Sequence, residues 1–198
     1  MKDTSPSSTK SLSVSSDSSF YISFADELTR TDWLFFFLKQ YHFYIGSRIT
    51  EEISKSLSSN PTFLKSVHHT NVDYYELVKP YFGRHPKHLD DGEYEAIGIA
   101  HYLYLKDILH YLIIDEKRIR NFVDRHFPYL KKKLVGSVGF IRDCCLNDKL
   151  IDESQAIDML TAAKKIIDEG KMVFGVDKNT YEVIIAPILR SLDVSCKK

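Results

Sequence analysis

Apolar and polar positions along this chain fall into short blocks whose period changes repeatedly from strand-like to helix-like. A β-compatible stretch around Val14 runs into Asp17, and Phe20, Ile22, Phe24 and Leu28 then shift the spacing towards helical. TDWLFFFLKQYH, with Thr31 placed as an N-cap, predicts a buried helix. FYIGS from Phe43 predicts a second short strand, and RITEEISKSL a helix carrying Glu51 and Glu52 near its start. From Asn60 to His88 the pattern is irregular. Asn60-Pro61 breaks the chain, 71–81 reads as a strand plus a helical turn, and PYFGRHPKHL reads as a loop bearing Arg84, His85, Lys87 and His88.

The second half is more regular. A helix is predicted from about Gly92 to Asp107, with the ladder Ala96, Ile97, Ile99, Ala100 and Leu103. ILHYLII is a continuous apolar run ending at Asp115, as in a strand buried on both faces of a parallel sheet. EKRIRNFVDRHF follows as an amphipathic helix with Ile119, Phe122 and Val123 inward, then a strand at Leu134 and Val135 and a glycine-flanked turn into another helix. IDESQAIDMLTAAKKIIDEG is a periodic helix ended by Gly170, followed by a short extended piece and a last helix. Short apolar strands alternating with helices define an α/β fold with a mostly parallel sheet. The expected organisation is a Ser-rich tail over 1–12 and one domain over 13–198.

Composition narrows the function classes. The 198 residues suffice for one substantial core, and 43% hydrophobic with 27% charged residues is globular usage. Lys plus Arg (27) balance Asp plus Glu (27), so any nucleic-acid contact has to come from a local patch. No apolar run approaches a membrane span, and no charged-then-apolar leader opens the sequence. Three cysteines, Cys144, Cys145 and Cys196, show no metal spacing and read as reduced thiols, which points to a cytoplasmic protein without a membrane partner.

The acids change the picture most. In open parallel sheets the functional crevice lies beyond the carboxyl ends of the strands. Asp17 follows the first strand, Glu52 lies in the helix after the second, Glu93 and Glu95 open the 92–107 helix, and Asp115 with Glu116 ends the ILHYLII strand. Converging carboxylates repel one another unless a cation intervenes, and hard oxygen donors suit Mg²⁺ or Mn²⁺. Ser18 or Ser19 would then orient a water. Each acid taken alone reads equally well as a helix cap, so two readings stand side by side.

Several motifs in order, VSSDSSFYISFADEL, YIGSRITEE, GEYEAIGIA, LIIDEKRIR and VGSVGFI, resemble the prokaryotic PIN-like branch of PIN domains. The resemblance spans roughly Val14 to Leu189 and is most specific at GEYEA with LIIDEKRIR. It implies a three-layer α/β/α sandwich with an acidic pocket for Mg²⁺ or Mn²⁺ that cleaves RNA, often as the toxin of a toxin–antitoxin pair. Carried over by position, Asp17, Glu52, Glu95 and Asp115 are the catalytic acids. Metal ligands are Asp17, Glu95 and Asp115, supported by Glu93 and Glu116. Ser19, Lys117, Arg118 and Arg120 contact RNA. The implied partners are an RNA substrate, an antitoxin protein and a second copy of the chain. Glu95 stands where the family often carries Asp, and the insert from Asn60 to Lys87 departs from a compact toxin.

Other candidates are weaker. His68-His69 and the His85/His88 pair lack structural-zinc spacing, and the thiols lack a histidine motif. Arg84, Lys87 and Lys131 to Lys133 read either as a phosphate path or as a solvated surface. Two function classes remain: a metal-dependent ribonuclease, and a catalytically silent PIN-like module that binds nucleic acid or protein.

Overall fold

A computed structural model describes residues 12–81 and 91–195. Residues 1–11 of the expected tail and the loop residues Arg84, His85, Lys87 and His88 fall outside them, as do Asp90 and Cys196. Strand β1 (Ser13–Ser16) leads into α1 (Ser18–Ile22), which continues through a π-helical turn at Ser23–Glu27, and then α2 (Thr31–Gln40). Strand β2 (His42–Ile45) is followed by α3 (Ser47–Glu52), α4 (Lys55–Ser58) and α5 (Pro61–Ser66). Strand β3 (His68–His69) precedes α6 (Tyr75–Val78) and α7 (Asp91–Leu105). The last parts are β4 (Leu109–Ile113), α8 (Lys117–His126), β5 (Leu134–Val135), α9 (Ser137–Leu146), α10 (Glu153–Asp168) and α11 (Tyr181–Ser195).

The five strands are all parallel in the order β3-β2-β1-β4-β5, and helices cover both faces as a three-layer α/β/α sandwich. The chain winds outward from β1 to β3, then returns to β1's other side for β4 and β5. That reversal opens a crevice between the carboxyl ends of β1 and β4. On one face Phe20, Phe37, Phe43 and Phe140 from α1, α2, β2 and α9 form an aromatic core, with Phe20 and Phe43 stacked at 5.4 Å and Phe37 and Phe140 edge to face at 5.1 Å. The other face is closed by α7, whose Ala96 carbonyl accepts from the buried Ser15 hydroxyl at 2.8 Å. Small residues on β1 let that helix sit close to the sheet.

The opposite end of the sheet is tied by Asp148, beyond α9. Its carboxylate accepts from Tyr41 (2.5 Å) and Tyr111 (3.0 Å) and meets His110 at 3.1 Å. Three details differ from the sequence reading. RITEEISKSL is broken into α3 and α4 at Ile53, whose backbone is extended. The strand expected within 71–81 lies earlier, at His68–His69, because only there does the chain run beside β2. Phe122 is half-buried against Tyr94, at 5.0 Å, instead of entering the core. Among the described residues no helix is long and apolar enough to cross a membrane.

Candidate functional site

Asp17 leaves β1 fully buried, and its backbone N–H donates to the Ile113 carbonyl of β4 at 3.2 Å. Its carboxylate accepts from the Phe20 N–H (3.3 Å), capping α1, and from the Asp115 N–H (3.4 Å) across the crevice. Both bonds are long. Burial raises the Asp17 pKa well above the ordinary aspartate value, and the charges of Asp115 and Glu93 raise it further. Glu93, at the start of α7, therefore belongs to the same electrostatic group.

Asp115 is half-buried and held firmly. Its Oδ1 accepts from the Ser137 N–H (2.7 Å) and its Oδ2 from the Ser137 hydroxyl (2.5 Å), closing the start of α9. Burial pushes its pKa up to about 6, against the pull of the Ser137 bonds and the Arg120 charge. Arg120 is fixed in turn by a 3.0 Å bond to the Ile114 carbonyl. Glu27 adds repulsion to Asp115; its carboxylate accepts from Ser23 (2.7 Å), and the same Ser23 hydroxyl accepts from the Phe174 N–H (3.0 Å). The turn at Val173–Val176 is thus moored beside the acids, and Gly175 (φ +66°) passes so close that a Cβ there would lie 3.1 Å from that of Asp115. Sequence reasoning missed Ser137 and Glu27. VGSVG had already marked Ser137's turn, whereas Glu27 sits in a π-helical turn that no periodicity signals.

Glu52 and Glu95 are placed differently. Glu52 accepts from Ser18 Oγ (2.5 Å) and from the Gly92 N–H (2.8 Å), so it closes the start of α7. Glu95, 1% exposed, accepts from the Ile49 N–H at 3.0 Å and closes the start of α3. The fit is tight, because a Cβ on Gly46 would fall 2.2 Å from the Glu95 carboxyl carbon. Burial raises the Glu95 pKa, with the Ile49 bond and the Arg48 charge opposing it. Glu116 is exposed and pairs with Arg118 at 2.9 Å, turned to solvent. Ser19 is half-buried in the first turn of α1. The structure therefore groups Asp17, Asp115 and Glu93, and assigns Glu52 and Glu95 to helix ends.

Cations adjoin the acids. A cavity of about 360 Å³ is lined by Asp115, Lys117, Arg120, Gly136, Phe174 and Ile184 among others. Lys117 also lines a neighbouring groove with Arg118, Asn121, Phe122 and Arg125. His68 lies elsewhere, at the sheet edge, 2.8 Å from His42. Comparison with protein families, curated proteins and solved structures gives no match.

Among the described residues no group of three His, Cys, Asp or Glu side chains is arranged to hold a metal ion. A Mg²⁺ ion needs less, since it is commonly bound through one or two carboxylates while substrate phosphate and water complete its octahedron. The adjacent, mutually repelling Asp17 and Asp115 meet that lesser requirement with hard oxygen donors.

Proposed function

We propose that this protein is a divalent-metal-dependent ribonuclease whose reaction centre is the crevice beyond β1 and β4. The observation that carries the reading is the pairing of Asp17 with Asp115 at the point where strand order reverses, with Glu93 adding charge and a cationic cavity opening on Asp115. Asp17 and Asp115 would hold Mg²⁺ or Mn²⁺. Such a cation supplies charge stabilisation for a phosphodiester and makes water a better nucleophile at neutral pH. Ser137 fixes the Asp115 carboxylate by two bonds, so its orientation is set before substrate arrives. Lys117 and Arg120 attract the RNA phosphates, and the substrate class follows the PIN-like resemblance of GEYEA and LIIDEKRIR.

The use of Glu52 and Glu95 as helix caps favours a second reading, a module that binds RNA without cutting it. Incubating the purified protein with single-stranded RNA, with Mn²⁺ and with EDTA, separates the two. Cleavage that needs Mn²⁺ and disappears in Asp17→Asn is the expected result. RNA retained intact by both proteins would replace the nuclease with the binding module.

A further inference from the structure

The cavity beside Asp115 is walled by α11 and by the first turns of α9. Ile184 and Ile188 supply apolar wall, Phe174 and Gly175 line it too, with Gly175 packed against Asp115, and Lys117 and Arg120 bring positive charge. Its lining includes Gly139, inside α9. Glycine within a helix costs stability relative to alanine. Packing does not demand it here, because a Cβ on Gly139 would meet nothing nearer than Val135 at 3.7 Å, an ordinary contact. At Gly46, by contrast, a Cβ would overlap Glu95. A glycine that the fold does not require, lining a cavity, suits close approach by a flat ligand.

We propose that this slot holds one unpaired base of the RNA, with the adjoining phosphate on Lys117 and Arg120. The inference rests on the crevice being an RNA site, but it concerns binding and not cleavage. Three features select that occupant. A volume of about 360 Å³ takes a single nucleotide and excludes a base pair within its duplex. Aliphatic walls beside Lys117 and Arg120 match the flat ring face of a base carrying an anionic phosphate. Lys117 also lines the groove bearing Arg118 and Arg125, so a strand leaving the slot continues along α8. A duplex keeps its bases stacked and presents none to such a slot.

The test is fluorescence anisotropy with a labelled RNA pentamer in EDTA, beside a duplex of the same sequence. Single strand should bind at least tenfold more tightly than duplex. Gly139→Leu, which fills the slot, and Lys117→Glu should each weaken single-strand binding about tenfold or more. Gly139→Ala should raise the melting temperature while weakening binding, a combination that a purely structural glycine would not produce. Equal affinity for duplex, or unchanged binding in Gly139→Leu, overturns the inference. Slot-dependent binding with no Mn²⁺-dependent cleavage keeps the slot and removes the nuclease. Cleavage whose KM is untouched by Gly139→Leu does the reverse.

Discussion

Two turns in this molecule are built alike and differ in what surrounds them. Strand β2 runs through Gly46-Ser47 into α3, and strand β5 runs through Gly136-Ser137 into α9. Each glycine leaves room for a carboxylate from a distant segment, Glu95 in the first and Asp115 in the second, and each carboxylate accepts backbone N–H bonds at the helix start. The first turn is sealed. Glu95 is 1% exposed, and its Oε1 has no hydrogen-bond partner among the described residues. The second opens onto a cavity, has Asp17 beside it, and is faced by Arg120 and Lys117. A buried carboxylate at a helix start is therefore not evidence of chemistry. What distinguishes Asp115 is a second acid within reach and a space for a ligand.

Removing charge at each turn tests that distinction most severely. Asp115→Asn should lower Mn²⁺-dependent RNA cleavage by roughly 100-fold or more, the scale of losing one electrostatic group at a reaction centre. Glu95→Gln should stay within about threefold of the parent on the same scale, and equal losses in both would erase the contrast between the turns. Stability should run the other way. Glu95→Ala orphans the start of α3 and should cost about 2–3 kcal/mol in urea unfolding, while Asp115→Ala costs less because it also relieves repulsion with Asp17. Gly46→Ala should cost about 1–3 kcal/mol by overpacking. Gly136→Ala, whose Cβ would stand 3.0 Å from Asp115 Oδ1, should cost less by the same measurement.

The smallest effect expected is on pH dependence. Both Asp17 and Asp115 have raised pKa values, Asp115 to about 6, so the metal-free fold favours their neutral forms. Their contribution to stability is complete below the ordinary aspartate range and is lost as pH rises through their raised pKa values, about 6 for Asp115. Cation binding needs the ionised forms. Apparent Mn²⁺ affinity should therefore fall below pH 6 by up to about tenfold per pH unit for each carboxyl that must lose its proton, read as a shrinking rise in melting temperature on adding Mn²⁺. A metal-induced rise as large at pH 5 as at pH 7.5 would place the cation away from Asp115.

Most of the sheet was legible because its strands announce themselves. ILHYLII is apolar enough to be buried on both faces, and the acid at its end falls where the chain must turn. β3 was not legible. Two histidines carry no period, and their strand character comes wholly from lying beside Tyr44 and Ile45. The division among the acids was half legible. Glu93 and Glu95 are two residues apart, about 200° around a helix of 3.6 residues per turn, so they cannot both face one crevice. One of them must therefore turn away. Which one depends on α3, whose approach to α7 no local pattern encodes.

Glu52 of α3 closes the start of α7, and Glu95 of α7 closes the start of α3. In each helix a first-turn amide is accepted by the other's glutamate, so each start is completed only when the other docks. Segments whose bonded residues are 40 and 46 positions apart then form and open as one cooperative unit. The Ile49 and Gly92 amides should share a single protection factor in hydrogen exchange, and either glutamate, once neutralised, should loosen both.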